Sequence, residues 1–433
     1  MNILHYLIGP RRGGGLNRYA RDLAVAQMQG GHDVTMLYPV GGIFPARTAS
    51  IQTARDYKGV RCFRLKGGKP VPLLEGLGSP EMILGDAHRL SDTQVQAFYA
   101  VVRPDVLHIH TWMGFPEELL PFFKKHGCKL VYTTHDYFGL CPKVNFIDSE
   151  GRLCEQYDNV KCSRCNAHAP SEHFLALRNC EFLMRFKELL KPVLNLRKEN
   201  RPSGSSIECN TQDYDALREH YLSLLRQCNV IHCNSQVSKR IYERYLPNAA
   251  FRVLPITHGG IHWQPQEETL DASRVRIGFS GPTASFKGLP LLLDVLKRLP
   301  QTNWQLDVWG TGITKTEGPV RYRGNYSDPR EAFCELDLLV VPSICFETFG
   351  FIVAEALSSG VPVLCADTVG AQCLVDSSMV YHGEAGLRDR LADLLRHPEQ
   401  LKALRKKLID GQQITGSMDN HASDMINLYC ICQ

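Results

Sequence analysis

Residues 338–357 read LLVVP-SICFETFG-FIVAEAL, and their order decides the fold. Leu338–Pro342 (LLVVP) is a short apolar run that ends a buried strand. A helical apolar pattern begins at Phe351 and runs through Ala356 and Leu357. Between them Gly350 permits a tight turn and close backbone approach, and the free amides at the helix start favour an anion. Strand, loop and helix in this order are the repeating unit of a parallel sheet wrapped by helices.

The same rhythm extends outward in both directions. Strands are expected at Asn2–Ile8, Asp33–Tyr38, Asp105–His110, Lys129–Thr134 and Val230–Asn234. They recur at Val275–Ser280, Gln305–Trp309, Leu336–Pro342 and Val361–Ala366. Helices are expected at Asn17–Gln29, stopped by Gly30-Gly31, and at Leu289–Leu299, stopped by Pro300. A chain of 433 residues is too long for one ordinary core. The fold class expected is therefore α/β, with two Rossmann-like domains facing an interdomain cleft. Residues 1–262 form the first, 263–415 the second, and 416–433 cross back to the first. Pro247–Ser273, with Pro255, Gly259-Gly260 and Pro265, reads as the linker. Cys141–Ser206 breaks the rhythm: Cys154, Cys162 and Cys165 fall in a polar loop with little core of its own. A basic helix-like stretch follows at Leu175–Arg201, and residues 201–206 (RPSGSS) read as a flexible connector.

Composition narrows the class. The hydrophobic fraction is 44% and the charged fraction 22%, which argues against disordered, collagen-like or coiled-coil chains. No apolar run approaches the roughly 18 residues that span a bilayer. The start, MNILHYLIGPRR, lacks the pattern of a secretory signal, so the 16 cysteines point to a reducing, cytoplasmic setting. Net charge is +4, unevenly spread. Residues 1–255 hold 33 Lys and Arg against 24 Asp and Glu, and residues 256–433 hold 16 against 21. The basic front half suits an anionic partner as well as it suits ordinary domain asymmetry.

Glu347 and Glu355 lie eight residues apart. If that interval were mostly helical, its rise would be up to about 12 Å, the reach from the sugar of a nucleotide sugar to its ribose. A carboxylate accepts paired bonds from neighbouring hydroxyls. Two glutamates on a surface helix would read the same way, so context must decide. Glu347, Phe349-Gly350-Phe351 and Glu355 resemble the E-x7-E motif of retaining glycosyltransferases of family 4, which have the GT-B fold. Gly13-Gly14-Gly15-Leu16-Asn17-Arg18-Tyr19 and Gly31-His32-Asp33-Val34 resemble that family's opening loop and second strand. His108-Ile109-His110, Thr133-Thr134-His135-Asp136 and Asn234-Ser235 resemble its middle strand ends. Phe279-Ser280-Gly281 with Lys287-Gly288 resembles its donor phosphate loop.

The resemblance implies roles. Glu347, Lys287 and His135 would be catalytic: Glu347 exposed in an open cleft, Lys287 neutralising the departing diphosphate, and His135 bonding the donor sugar. Gly14, Gly15, Phe349, Gly350, Phe351 and Glu355 would bind the donor, a UDP- or GDP-linked sugar. Chemistry would be front-face with retention and would need no metal. The family usually has Arg where this chain has Pro282, so half of the cationic clamp is missing. The expected acceptor is a glycan or polyprenyl-diphosphate-linked glycan in bacterial surface polysaccharide assembly. Phe122-Phe123-Lys124-Lys125-His126 and Arg185–Arg201 would then dock on the inner face of the cytoplasmic membrane, with Phe182, Leu183, Phe186, Leu189, Leu190 and Leu194 near one helical face. A helix that simply packs this face on its own domain would read the same way.

Cys141, Cys154, Cys162 and Cys165 are spaced C-x12-C-x7-C-x2-C, and a C-x2-C pair presents two thiolates to one tetrahedral ion. They read as a structural zinc site or as four separate thiols. Three other functions compete. A nucleotide-sugar epimerase or hydrolase on the same fold would use the donor cleft without an acceptor. An oxidoreductase is disfavoured because no G-x-G-x-x-G follows the first strand. A zinc module for nucleic acid is disfavoured because aromatic and basic residues are not interleaved, so no nucleic-acid partner is expected.

Overall fold

The computed structural model describes residues 1–43, 48–185, 211–265, 273–326, 328–411 and 416–431. Two sheets organise them. The first has eight strands in the order β3-β4-β2-β1-β5-β6-β7-β8. These are β1 (Asn2–Tyr6), β2 (Asp33–Val40), β3 (Ser50–Tyr57), β4 (Val60–Lys66), β5 (Val106–Ile109), β6 (Lys129–Thr133), β7 (Val230–Cys233) and β8 (Phe251–Val253). All neighbours are parallel except the β3–β4 hairpin. The second sheet has seven strands in the order β11-β12-β10-β9-β13-β14-β15. Here β9 is Val275–Ser280, β10 Trp304–Trp309, β11 Thr314–Glu317, β12 Val320–Gly324, β13 Leu338–Val341, β14 Val363–Ala366 and β15 Val380–Tyr381. Only β11 runs antiparallel. The α/β class and the two-sheet plan expected from the sequence are what the chain adopts.

Helices cap the strand ends that matter. Gly14, at φ 92°, precedes helix α1 (Gly15–Gln29), which buries Tyr19, Ala20, Leu23 and Gln27 against the first sheet. Ser235 caps helix α2 (Gln236–Glu243) by accepting from the Ser238 amide, which satisfies one orphan donor of its first turn. Helix α3 (Leu289–Arg298) follows Gly288, at φ 80°. A Cβ on Gly288 would sit 1.7 Å from the Pro342 carbonyl, so glycine alone lets this loop press against the end of β13. Helix α4 (Phe351–Ser358) starts after Gly350 and is almost wholly buried, as an apolar run without a polar face requires. Helix α5 (Met418–Ile431) packs across α1, with His421 Nε2 2.9 Å from Tyr19 Oη and Lys129 Nζ 3.1 Å from the Tyr429 carbonyl.

Three expectations need correction. Glu172–Arg178 and Glu181–Arg185 are separate short helices. The stretch breaks at Asn179, whose side-chain amide donates to the carbonyls of Val71 and Leu175, and at Cys180, which bridges to Gly41. The remainder of the basic stretch, with Phe186, Leu189, Leu190 and Leu194, lies outside the described residues, as does the 201–206 connector. The presumed linker contains β8, because Phe251 and Val253 extend the first sheet beside β7. The cysteine loop does have a core: Leu140, Val144, Phe146, Ile147 and Cys162 are buried.

Candidate active site between the two sheets

The loop from β13 to α4 carries the first half of the site. Lys287 Nζ lies 2.9 Å from Glu347 Oε1, with the carboxylate side chain only 12% exposed and the lysine 28%. Ser343 Oγ donates to the same carboxylate. Burial pushes the Glu347 carboxyl up, but the Lys287 charge and the two hydrogen bonds outweigh it and leave it below its usual range. Burial likewise pulls Lys287 down, and Glu347 more than restores it. The expectation that Glu347 stands exposed is therefore wrong. Its backbone is pinned too, since the Glu347 amide donates to the Thr368 carbonyl and its own carbonyl accepts from Gly370. Helix α4 begins only at Phe351, so half of the Glu347–Glu355 interval is loop rather than helix.

Glu355 is 8% exposed and receives two donors on Oε1, Arg18 Nη1 at 3.0 Å and His258 Nε2 at 3.0 Å. Each glutamate is thus met by a cation, Lys287 from its own sheet and Arg18 from α1 across the cleft. Sequence reasoning assigned no role to Arg18 or His258. Arg18 stood only as one letter of a motif, and His258 fell in a stretch read as linker.

The facing side belongs to the first sheet. A Cβ on Gly15 would lie 3.1 Å from the Phe351 ring, whereas one on Gly13 or Gly14 would meet nothing within 4 Å. The glycine loop therefore touches α4 at one end and borders open space at the other. Thr348 Oγ1 donates to the His135 carbonyl at 3.1 Å, and Ser235 Oγ donates to the Thr348 carbonyl at 2.5 Å. Phe349 is buried, and Phe351 stacks edge-on against Phe349 and His258. The structure so brings Lys287, Glu347, Phe349, Gly350, Phe351 and Glu355 opposite Gly14, Gly15 and His135. Burial lowers His135 to about 3, with His232 adding to the shift, so the ring is neutral. Burial raises Asp136 to about 6, against bonds from the Phe138 amide and Thr111.

The four cysteines line one small cavity with Phe146, Asp148 and Arg218. Cys162 and Cys165 sit one turn apart on the helix Asn159–Asn166, and Arg218 Nη2 is 3.7 Å from Cys162 Sγ. The structure brings the loop's thiols around one space without drawing their sulfurs into a tight group. Among the described residues, the ligand atoms that do cluster within 4.8 Å of one another belong to His5, His108 and His110. Sequence reasoning missed this trio because each ring stood in an apolar strand run. Phe123 is fully buried and Phe122 partly so, leaving only Lys124, Lys125 and His126 of that basic cluster on the surface. Among the described residues no helix is long and apolar enough to cross a membrane.

Known proteins share this fold. Residues 13–162 match the family model described as Glycosyltransferase Family 4, and residues 274–423 the one described as Glycosyl transferases group 1. Together the two models take in well over half of the chain, one on each sheet. Among solved structures, a sucrose-phosphate synthase of Thermosynechococcus elongatus aligns with a TM-score of 0.63 at 15% identity, covering 99% of this chain and 98% of that one. The catalytic domain of Starch Synthase IV from Arabidopsis thaliana, bound to ADP and acarbose, aligns at 0.56 with 14% identity and 99% of each chain. Anabaena Alr3699/HepE with UDP and glucose aligns at 0.54 with 14% identity, over 98% of each chain. No curated protein sequence matches the chain.

Proposed function

Because this chain is a glycosyltransferase of the group 1 and family 4 type with the GT-B fold, we propose that it transfers a sugar, with retention, from a nucleotide donor held between its two sheets. The observation that carries this reading is the pair Lys287–Glu347 on one side of the cleft together with the pair Arg18–Glu355, which bridges it beside the Gly13–Gly15 loop. Glu355 takes the ribose hydroxyls, giving up Arg18 or sharing it. Glu347 accepts from the hydroxyls of the sugar being moved. Lys287 and the first amides of α4 meet the diphosphate, where negative charge grows as the sugar departs. With Pro282 in place of the usual basic residue, Arg18 is the further cation at this site. A front-face route needs only these groups and a donor phosphate oxygen that takes the acceptor's proton. A UDP-sugar is the first donor to test, since Anabaena Alr3699/HepE was solved with UDP and glucose.

The acceptor in this reading is a glycan or a polyprenyl-diphosphate-linked glycan, and the enzyme is cytoplasmic with peripheral membrane contact. The excess of Lys and Arg in residues 1–255 and the exposed Lys124-Lys125-His126 tip support it. A structural zinc on Cys141, Cys154, Cys162 and Cys165 belongs to the same reading. Burial pushes the Cys141 and Cys162 thiols up, so without an ion they stay protonated. Four thiolates on one zinc carry two negative charges, and the buried guanidinium of Arg218 beside Cys162 stands ready to balance them. The test of function is donor screening by thermal shift across UDP-, GDP- and ADP-sugars, followed by product analysis with and without acceptor. Sugar transfer that survives Glu347→Ala, or steady epimerisation of donor alone, would overturn the proposal.

A further inference from the structure

Six histidine rings lie together behind the cleft: His5 on β1, His108 beside it on β5, His110, His135, His232 on β7 and His421 on α5. Five of them lie on one continuous path of hydrogen bonds, and its direction can be read from its far end. His232 Nε2 is 2.8 Å from the Leu254 carbonyl, which has no proton to give, so Nε2 carries the hydrogen. The bare Nδ1 of His232 accepts from Thr133 Oγ1 at 2.9 Å. That hydroxyl's single proton is then committed, and Thr133 accepts from His108 Nε2 at 2.6 Å. His108 Nδ1 accepts in turn from the Tyr429 hydroxyl at 2.6 Å. Tyr429 Oη accepts from Gln27 Nε2 at 3.3 Å, which turns the amide oxygen of Gln27 toward His5 Nε2 at 2.8 Å. His5 Nδ1 accepts from His110 Nε2 at 3.0 Å, and His110 Nδ1 accepts from His135 Nε2 at 3.2 Å.

Every step is forced once the rings are neutral, because a neutral imidazole has one donor and one acceptor. Burial pulls His5 and His232 down to about 4, and His108 and His110 well below their ordinary value, so neutral rings are what this interior holds. Gln27 is 1% exposed on a helix face otherwise filled by Tyr19, Leu23 and Ala26. A fully buried glutamine there has no packing advantage over an aliphatic residue; its amide matters because it supplies one donor and one acceptor on opposite sides.

We infer that this path is a directional relay that fixes His135 with its proton on Nε2, and that Gln27 and Tyr429 are positioning residues for it. Resting on the reading of His135 as a cleft residue, this means that His135 offers the donor sugar an acceptor and no proton. Its Nδ1 has no hydrogen-bond partner among the described residues. The relay also ties the cleft to helix α5, since Tyr429 is its middle member. A metal on His5, His108 and His110 is the competing occupant of this interior. It would need lone pairs that the relay already uses, because all six nitrogens of the trio are engaged.

The experiment uses the full chain labelled with 15N-histidine, without substrate, so that it does not depend on the enzyme assignment. Two-bond proton–nitrogen correlation reports which ring nitrogen carries the hydrogen, with His135 assigned by its loss in His135→Gln. In the wild type His135 should be the Nε2–H form at pH 7.5. Gln27→Met removes the acceptor that sets the direction, and the ratio of the two His135 tautomers should then change by at least about tenfold toward Nδ1–H, the worth of one buried hydrogen bond. Gln27→Glu keeps an acceptor facing His5 and should keep the wild-type tautomer. Tyr429→Phe preserves packing while releasing the amide's orientation, and should shift the ratio in the same direction by a smaller factor; it serves if Gln27→Met does not fold. The inference fails if wild-type His135 carries its proton on Nδ1. It also fails if the ratio stays within twofold in both Gln27→Met and Tyr429→Phe. Stoichiometric metal in the purified protein with metal-shifted His5, His108 and His110 resonances would likewise overturn it.

Discussion

Acidification should unfold this protein unusually early, and the size of the effect follows from the buried rings. His5 and His232 are lowered to about 4, and His135 and His421 to about 3, in each case first by burial. His108 and His110 are lowered further, by burial and by one another. A group whose folded pKa lies below its unfolded value contributes stability above the unfolded value and loses it as pH falls. Here the window opens at 6.5, the ordinary histidine value, and closes only near 3 to 4. At pH 5 an unfolded histidine is almost fully protonated while these rings are not, which costs about 2 kcal/mol for each. The four rings at about 3 or about 4 already sum to about 8 kcal/mol, and His108 and His110 act in the same direction. Asp136 opposes this, because burial raises it to about 6 and protonation on acidification relieves its strain. That offset is about 1 kcal/mol, the worth of one pKa unit.

A domain commonly holds only about 5–15 kcal/mol in reserve, so the histidines alone can consume it before pH 5. Scanning calorimetry at pH 7.5, 6.5 and 5.5, with tryptophan fluorescence followed down to pH 4, measures this directly. The melting temperature should fall by more than about 10 °C between pH 7.5 and 5.5. Potentiometric titration should find several protons taken up on unfolding at pH 5.5. A melting temperature that moves by less than about 3 °C over that range would mean that the rings are already protonated or hydrated in the fold. Either would refute the buried neutral cluster.

Other outcomes follow from the cleft. Lys287→Met leaves a partly buried carboxylate without its cation and should cost about 2–3 kcal/mol, most of which Glu347→Gln should restore in the double variant; urea unfolding of the four proteins measures the coupling. Each of these single changes should also lower sugar transfer by about 100-fold or more, with little further loss on combination. Gly350→Ala must hold φ 98° and press on Val369 and Glu347, so it should lose about 1–2 kcal/mol and most activity while leaving the first sheet's exchange protection intact. Chelation of the purified protein should expose Cys141, Cys154, Cys162 and Cys165 to thiol reagents before donor binding fails; less than a tenth of an equivalent of zinc by elemental analysis would end the metal proposal.

Residues differed in how openly the sequence displayed them, and the reason is physical. Strands β1, β5, β6, β9, β13 and β14 are buried on both faces, so they stand out as short apolar runs, and Glu347 and Glu355 could be placed beside one of them. The edge strands β3 and β11 were missed because they lie largely toward solvent; Thr314–Glu317 is exposed at every residue and carries no apolar pattern at all. Arg18 and His258 were missed for another reason: their partner Glu355 lies 337 and 97 residues away, and only the docking of one sheet's helix against the other's brings them together. The histidine relay combines both cases. His5, His108 and His232 each interrupt an apolar strand run, and in such a run a polar ring must find partners or be expelled. That interruption was the available signal. The parallel register sets His5 beside His108 and joins β6 to β7. Direction along the relay, however, depends on Gln27 and Tyr429, which sit 402 residues apart. A helix returning from the far end of the chain is therefore what turns a row of buried rings into an ordered path ending at the cleft.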